Sequence, residues 1–439
     1  MEHKNLLALK GEIEKCVRCA ACQAGCPTYE MSYSETLSAR GKLRIARALL
    51  SGQLKQSPRI AADFDMCLSC LKCVEACPAK IDTVALFQAA RADMAAAGGM
   101  GIVKKLILRH VLPFPARLNF LAKLTGLATI FYDNAPDALA RFLPYANQGS
   151  RRTTPRLLQK NLRSLVQHRH GQGAARGGAL RKVAYFSGCM TDLAYPDTGL
   201  NVMRQLEKAG VEVAYPQGQV CCGAPAWFAG DNDTARQLAK KNIETFDGLD
   251  VEAIVVSCAT CGSMLSHALP MIMEGDKRAT ALAEKVVDFQ KLLVELGVER
   301  EFAKAPGGGK LRVTYHDPCH LKRGMGVSAE PRILIKSLPN VEFVEMVGAD
   351  VCCGGAGAFT LDHPEQSARF GQFKAKAVEE SGADIVVTSC PSCQLQLADA
   401  LSRAGLDVPV MSTADLVAMA TSGVATGEGR FTPKPRLPR

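Results

Sequence analysis

The sequence lacks any long hydrophobic run and contains a single tryptophan, Trp227. The longest apolar candidate, residues 124–132, is nine residues long and includes two threonines, whereas a helix that crosses a bilayer needs about 20 apolar residues. No basic and then apolar leader follows Met1. The chain is therefore expected neither to span a membrane nor to be a secreted, disulfide-bonded protein.

Acidic residues are scarce in one part of the chain only. Residues 100–182 carry 15 Lys and Arg residues against two acidic ones, while the whole chain has a net charge of +10. The basic character thus belongs to one segment, and no nucleic-acid partner is expected. The length of 439 residues allows two to four domains at about 100–200 residues each.

Cysteine, in contrast, is abundant, with 18 residues. Eight of them form two copies of C-x2-C-x2-C-x3-C-P that lie 51 residues apart. In two-cluster ferredoxins with this spacing, the cysteine before proline binds the other cluster. The pattern predicts two [4Fe-4S] cubane clusters. Their ligands would be Cys16, Cys19, Cys22 and Cys77 for the first, and Cys67, Cys70, Cys73 and Cys26 for the second.

The alternative for these eight cysteines is a pair of structural zinc sites, because C-x2-C is also half of a zinc site. Zinc leaves the third, evenly spaced cysteine and the following proline unexplained, so iron–sulfur clusters are favoured. Residues 34–54, between the motifs, show a loosely helical apolar pattern. The ferredoxin domain is therefore expected to be mainly helical.

The other ten cysteines form a second repeat, offset by 130 to 132 residues. The repeated set is a single cysteine, a Cys-Cys-Gly and a C-x2-C. Short β-branched segments precede the first and last groups, VAYFSGC and RVTYHDPC being one such pair. The two sets are Cys189, Cys221, Cys222, Cys258 and Cys261, and Cys319, Cys352, Cys353, Cys390 and Cys393.

Helical patterns at residues 197–209, 234–246 and 363–380 separate these strand-like segments. Alternating strand and helix signals predict a parallel sheet covered by helices. The cysteine groups then follow the carboxyl ends of strands, where open α/β sheets bind ligands. Gly223 and Gly354 fit a backbone that turns tightly after each double cysteine.

Five cysteines in each domain are one more than zinc or a simple cubane uses. Disulfides between adjacent cysteines such as Cys221 and Cys222 are strained and rare. Buried, unreactive thiols would explain one residue but not ten at a duplicated spacing. The pattern therefore predicts metal ligation in both domains.

These motifs together resemble a known family. Two C-x2-C-x2-C-x3-C-P motifs followed by two Cys-Cys-Gly domains are similar to the iron–sulfur subunit of glycolate oxidase, to lactate-utilisation proteins and to the cysteine-rich subunit of heterodisulfide reductase. One subunit of anaerobic glycerol-3-phosphate dehydrogenase shares the arrangement. The resemblance implies one or two further iron–sulfur clusters, of the non-cubane type, in the duplicated domains. It also implies an FAD-containing dehydrogenase subunit as the partner.

Oxidation of a 2-hydroxyacid needs a flavin or a nicotinamide, and no site for either is recognised in the sequence. The segment GGAGA at 354–358 lacks the G-x-G-x-x-G frame. The segment PGGGK at 306–310 lacks half of a phosphate-binding loop. The hydride step is therefore expected on another polypeptide, with no flavin or NAD on this chain.

His316 and His320 flank Cys319 in the segment YHDPCH. They are weak catalytic candidates, because either could donate protons near the second five-cysteine set or hydrogen-bond a ligand sulfur. A purely structural role at the end of a strand is equally open.

The basic segment contains two amphipathic helical patterns, at 101–112 and 114–132. They could rest on an anionic membrane surface near a quinone pool. More often, such helices pack on their own protein or on a partner. Residues 147–182 are expected to form a mobile linker, and residues 421–439 a disordered tail.

The predicted architecture is a multidomain α and α/β protein. It comprises a helical two-cluster ferredoxin domain (1–95), a basic connector (96–180), a first (181–300) and a second (301–420) cysteine-rich domain with parallel sheets, and a disordered tail (421–439). We expect a cytoplasmic electron-transfer subunit of a glycolate or lactate dehydrogenase complex, with peripheral attachment to the inner face of the membrane as an option. The alternatives are a heterodisulfide reductase-type catalytic subunit and a zinc-stabilised interaction protein.

Overall fold

The computed structural model describes residues 3–134, 157, 159–167, 181–302 and 311–421. Most of the predicted linker, and the predicted tail beyond residue 421, lie outside the described residues. Within the described ranges, no helix is both long enough and apolar enough to cross a bilayer.

The N-terminal domain is helical, as the sequence predicts. Ser38 caps the start of the central helix Ala39–Leu50 by accepting a hydrogen bond from the Gly41 amide at 3.0 Å. Leu43, Phe64 and Phe87 lie in its buried core. The helices are Lys4–Ala8, Lys10–Glu14, Pro27–Ser32, Ala39–Leu50, Pro58–Asp65, Lys72–Glu75 and Thr83–Met94, with single turns at Ala21–Gln23 and Glu35–Leu37.

The connector is also helical where it is described. After a wide turn at Ala95–Gly99, helices span Ile102–His110, Pro115–Asn134 and Leu162–Gln167. Arg109 anchors the first of these helices to the first cysteine-rich domain, because its guanidinium donates to the Asp231 carboxylate at 2.8 Å.

The first cysteine-rich domain contains a four-stranded parallel sheet. Its strands are β1 (Arg181–Phe186), β2 (Val211–Ala214), β3 (Ala253–Val256) and β4 (Val286–Asp288), in the order β2-β1-β3-β4. The helices are Gly188–Leu193, Pro196–Lys208, Ala224–Phe228, Asn232–Phe246, Ala259–Ser263, Met264–Ala268, Leu269–Ile272, Lys277–Glu284, Phe289–Glu295 and Glu299–Phe302.

The second cysteine-rich domain repeats this topology. Its strands are β5 (Leu311–Tyr315), β6 (Val341–Phe343), β7 (Ile385–Thr388) and β8 (Val410–Ser412), in the order β6-β5-β7-β8 and all parallel. The helices are His320–Gly324, Ala329–Ser337, Phe359–Asp362, Pro364–Ser381, Pro391–Arg403 and Thr413–Thr421. The central strands of both sheets are buried on both faces, as expected where helices cover a parallel sheet.

The two cysteine-rich domains pack against each other through equivalent elements. In each domain, the helix at the single cysteine contacts the helix that carries the second cysteine of the other domain's C-x2-C. A backbone hydrogen bond from Ala259 to Ser389, 3.0 Å long, crosses this interface. The cysteine sets of the two domains therefore face each other. The pairs are Gly188–Leu193 with Pro391–Arg403, and Ala259–Ser263 with His320–Gly324.

Candidate metal centres

Two cavities in the ferredoxin domain bring together the cysteines that the sequence predicts to share a cluster. Cys77, from the second motif, lines the same cavity as the first three cysteines of the first motif. Cys26, from the first motif, lines the other cavity with the first three cysteines of the second motif. Cys73 borders both cavities, so the two sites are adjacent.

The two cysteine loops reach this arrangement through the same backbone conformation. Arg18 and Ala20, on either side of Cys19, have φ values of 62° and 65°. The residues 51 positions later, Ser69 and Leu71, have φ values of 50° and 63°. A left-handed conformation is unfavourable for residues other than glycine. Its repetition at equivalent positions indicates that both loops arrange their cysteines in the same way.

A buried lysine lies beside the second of these cavities. Lys42 is almost fully buried and donates from Nζ to the Leu37 carbonyl at 2.6 Å. Burial lowers the pKa of Lys42, while the nearby Cys67 and Cys26 thiols oppose the shift. Burial also raises the pKa of Cys73 to about 12. A buried cation at this position favours thiolate ligands around it.

Arg91 holds the second cysteine loop in place, a role that no sequence pattern indicated. Its guanidinium donates to the carbonyls of Phe64 at 2.9 Å and Cys67 at 2.7 Å. A third hydrogen bond, 3.3 Å long, reaches the Phe228 carbonyl in the first cysteine-rich domain. Arg91 therefore fixes the loop and ties two domains together.

The ten remaining cysteines form one continuous row of neighbouring thiols. The contacts in the first set run through Cys189, Cys221, Cys222, Cys261 and Cys258, the first two Sγ atoms being 3.6 Å apart. In the second set they run through Cys319, Cys352, Cys353, Cys393 and Cys390.

The two sets meet at Cys258 and Cys390, whose thiols lie close enough across the domain interface to shift each other's pKa. The Thr260 hydroxyl also lies 3.5 Å from the Cys390 Sγ atom. This meeting joins residues 132 positions apart, and it follows from the packing of equivalent helices.

Cysteines of the second cysteine-rich domain lie beside the second ferredoxin cluster site. Cys70 packs in one apolar cluster with Cys319 and Cys352. Burial raises the pKa of the Cys70 thiol, and the nearby charge of Cys352 raises it further. The thiols thus run from the ferredoxin domain into the second domain and from there into the first.

Ion pairs next to Cys70 fix this junction. Arg323 is buried and donates to Glu75 of the ferredoxin domain at 2.9 Å and to Asp350 at 2.6 Å. Burial raises the pKa of Asp350, but the Lys322 hydrogen bond and the Arg323 charge prevail and lower it to about 2. Asp350 is therefore ionised at neutral pH and binds both cations.

The two candidate histidines have different surroundings. His320 Nε2 lies 3.0 Å from the Ser69 carbonyl, its Nδ1 lies 3.3 Å from the Thr260 hydroxyl, and its ring stacks on Phe228. A ring proton on Nε2 satisfies the Ser69 carbonyl, so His320 bridges all three domains. The catalytic role that the sequence suggested for it stays a prediction.

His316 is buried, and neither ring nitrogen has a hydrogen-bond partner among the described residues. One ring nitrogen of His316 and the Sγ atoms of Cys353 and Cys393 all lie within 4.8 Å of one another. Burial lowers the pKa of His316 to about 3, so the ring is neutral.

The chemistry of this row of thiols fits an iron–sulfur group. A hydrogen bond from Cys319 lowers the pKa of Cys352, and one from Cys258 lowers the pKa of Cys390. Thiolates buried among other sulfur atoms are stabilised by a bound cation. Soft thiolates are the protein ligands that iron–sulfur clusters use. Cys221-Cys222 and Cys352-Cys353 would hold such groups with their neighbours in each set.

Comparisons with known proteins bear directly on these sites. A cysteine-rich domain family matches residues 183–266 and 313–398, and a 4Fe-4S dicluster domain family matches residues 12–81. Over 421 residues the chain is 32% identical to the probable glycolate oxidase iron-sulfur subunit of Bacillus subtilis (strain 168), covering 93% of this chain and 94% of that protein. The chain belongs to the family of this iron–sulfur subunit.

Two further relatives of the family have other names. Lactate utilization protein A of Geobacillus sp. (strain WCH70) is 32% identical over 54% of this chain and 98% of that protein. One subunit of the fumarate reductase (CoM/CoB) of Methanothermobacter marburgensis is 37% identical over 55% of this chain and 47% of that protein. The chain is thus an iron–sulfur electron-transfer subunit of an oxidoreductase complex.

Proposed function

We propose that the chain conducts electrons for an FAD-dependent dehydrogenase that oxidises a small 2-hydroxyacid, glycolate or lactate. The observation that carries the proposal is the unbroken succession of cysteine sites from Cys16 to Cys189. The names of the relatives from Bacillus and Geobacillus support the substrate class. Electrons would pass from the flavin through this chain to a quinone or another carrier.

Four iron–sulfur groups fit this function. Two [4Fe-4S] cubanes would occupy the ferredoxin cavities, with the ligands exchanged between motifs at Cys26 and Cys77. One further group, of the non-cubane type, would occupy each five-cysteine set. When bound, these groups accept and release single electrons. The protein excludes water from them, because eight of the ten thiols in the cysteine-rich domains are buried.

The order of the sites follows from the contacts. The first ferredoxin site adjoins the second through Cys73, and the second adjoins the second cysteine-rich domain through Cys70. The Cys258–Cys390 meeting then connects that domain to the first. The first ferredoxin site and the first cysteine-rich domain are therefore the two ends of the path, where an electron donor and an acceptor would dock.

The connector offers a surface for a membrane. Ile102 and Val103 are 78% and 71% exposed, and Leu106 and Phe120 are more than half exposed. Basic residues strongly outnumber acidic ones in this segment, so its charge complements anionic lipids. We infer that this face rests on the anionic inner surface of the cytoplasmic membrane, near the quinone pool.

Vesicle sedimentation tests the membrane proposal. The full-length protein should bind vesicles that contain phosphatidylglycerol, bind less at high salt, and bind poorly to neutral phosphatidylcholine. Ile107→Asp should weaken binding. Ile333→Asp is the matched control, because Ile107 and Ile333 are both 41% exposed helical residues. Equal binding of the two variants, or no binding by the wild type, contradicts this interface.

Anaerobic purification tests the electron-transfer function. The chain should copurify with a flavoprotein and contain iron and sulfide. Glycolate or lactate should reduce its clusters, seen as bleaching and an electron paramagnetic resonance (EPR) signal, only when the flavoprotein is present. Dithionite reduction of the isolated chain is the control. An iron-free chain, or clusters that neither acid reduces in the complex, contradicts the proposal.

The second candidate function is disulfide reduction at the second five-cysteine set. Within the described residues, the unpartnered His316 ring beside Cys353 and Cys393 favours it, since the N–H of the neutral ring could donate a hydrogen bond to a product thiolate. Reduced viologen and a disulfide substrate separate the two functions. Turnover by the isolated chain supports disulfide reduction and contradicts a pure electron-transfer role.

A further inference from the structure

The two cysteine-rich domains differ at one position beside their cysteine sets. His316 and Phe186 lie 130 residues apart, each three residues before the single cysteine and directly at the end of β5 or β1. Phe186 is fully buried and packs against Phe246, with ring centroids 5.8 Å apart. The first domain thus has an apolar ring where the second has an imidazole.

The backbone of His316 is rigidly held. Its amide donates to the Val387 carbonyl at 2.9 Å, continuing the ladder between β5 and β7. Its carbonyl accepts from the Thr388 hydroxyl at 3.2 Å. The next residue, Asp317, accepts two hydrogen bonds from Arg332, at 2.9 and 2.7 Å. These hydrogen bonds therefore hold the backbone of His316 in place at the carboxyl end of β5.

Within the described ranges, the His316 ring is buried without a hydrogen-bond partner at either nitrogen. A buried polar group without a hydrogen-bond partner destabilises the fold, and Phe at the same position would not carry this cost. A metal ion is the partner that best satisfies a neutral imidazole beside two thiols. The grouping of His316 with the Cys353 and Cys393 sulfur atoms matches that chemistry.

We propose that one ring nitrogen of His316 binds iron in the group held by the second five-cysteine set. The second centre would then have mixed sulfur and nitrogen ligands, and the first centre sulfur ligands alone. This inference rests on the proposed function only in requiring that the second set holds an iron–sulfur group. It assigns His316 a ligand role in place of proton donation.

Pulsed EPR spectroscopy of the full-length protein tests this ligand. Histidine labelled with ¹⁵N only in the ring distinguishes imidazole from backbone nitrogen. We expect a strong nitrogen coupling that changes from a ¹⁴N to a ¹⁵N pattern on labelling and disappears in His316→Phe. His320→Gln, which alters the neighbouring histidine, should retain the coupling.

The variant His316→Phe copies the ring shape of the first domain, and the reciprocal Phe186→His offers an imidazole to the first set. Iron analysis accompanies each measurement. A protein with its full iron content but no ring-nitrogen coupling overturns the ligand role and leaves electron transfer intact. An iron-free protein overturns the proposed function itself.

A crystal structure of the anaerobic wild type gives a second readout that depends neither on a paramagnetic state nor on the folding of a variant. It should place iron about 2 Å from one His316 ring nitrogen. Iron in the second set with the ring beyond bonding distance contradicts the inference.

Discussion

The two cysteine-rich domains share a topology and five thiols each, yet they surround those thiols differently. Asn242 in the first domain accepts from the Val220 amide at 2.9 Å and donates to the Cys221 carbonyl at 3.0 Å. The residue 132 positions later is Lys374, which donates to the Gly348 and Ala349 carbonyls at 2.6 and 3.1 Å. Both residues support the backbone before the double cysteine, but only Lys374 brings a charge.

His316 and Lys374 therefore place more polar side chains beside the second cysteine set than Phe186 and Asn242 place beside the first. Burial lowers the pKa of Lys374 to about 8, although the Cys353 and Cys352 thiols oppose the shift. The second domain is also the one whose cysteines pack beside Cys70 of the ferredoxin domain. Duplication has thus preserved the thiol scaffold, while the side chains around it distinguish an inner centre from an outer one.

Loss of a thiol should produce the largest difference between the domains. Cys353→Ser and Cys222→Ser should each lower the iron content by about a quarter, if each of four sites holds four irons. Cys353→Ser should also isolate the first domain from the ferredoxin site, because the path runs through the second set. Stepwise reduction followed by EPR measures this. If Cys353→Ser leaves the first centre rapidly reducible through the ferredoxin domain, the order of the sites is wrong.

The glycines after the double cysteines should differ in their tolerance of a side chain. Gly223 and Gly354 have φ values of 92° and 85°, so alanine costs about 1–2 kcal/mol at either one. At Gly354 the added carbon would also lie 2.9 Å from Phe370 Cβ, whereas at Gly223 its nearest neighbour is 3.7 Å away. Overpacking should add about 1–3 kcal/mol.

Chemical denaturation of the two variants measures this difference. Gly354→Ala should unfold at a clearly lower denaturant concentration than Gly223→Ala. Equal denaturant midpoints for the two variants would contradict this prediction and would show that the second domain relaxes around the added carbon.

The charge of Lys374 should raise the potential of the second centre. Lys374→Asn copies the first domain and should lower that potential on the order of 100 mV, which corresponds to about 2 kcal/mol in a one-electron couple. Lys376→Asn is the control, since Lys376 is exposed on the same helix. Potentiometric titration compares the variants, and equal shifts would refute a local effect of the buried charge.

The smallest effect should come from Asp350 at the ferredoxin junction. Its pKa is lowered to about 2, so its stabilising effect is complete above its ordinary pKa near 3.8 and is lost only as the pH falls through 2. Asp350→Asn should therefore weaken the junction by up to about 1 kcal/mol throughout pH 5–8.

Hydrogen exchange of residues 67–77 measures this change in the junction. The matched variant Asp231→Asn disrupts the Arg109 ion pair of the first domain and should leave the exchange of 67–77 unchanged. A wild-type junction that loosens between pH 8 and 5 would contradict the ionisation of Asp350.

Much of this architecture could be predicted from local patterns. The helices expected at 197–209, 234–246 and 363–380 are observed at Pro196–Lys208, Asn232–Phe246 and Pro364–Ser381. The β-branched segments form central strands, and both glycines after the double cysteines have positive φ values. These predictions agree with the structure because periodicity and turn chemistry are properties of a short stretch of chain.

The contacts between domains could not be predicted from local sequence patterns in this way. Arg91 and Arg323 occur in helical segments whose sequence does not reveal which carbonyls or carboxylates they meet. The connector shows the opposite case, because its apolar periodicity predicted helices without indicating that Ile102 and Val103 would remain exposed. Long-range packing decides both outcomes.

The chemistry of this protein can be read from its amino-acid order: eighteen thiols, their grouping into four sets, and the strands and loops that present them. The connections between those sets depend on the fold, which places Cys70 beside Cys352, Cys258 beside Cys390, and His316 next to the second set. Ligand spacing is encoded locally, whereas the proximity of distant thiols depends on which helix faces pack together.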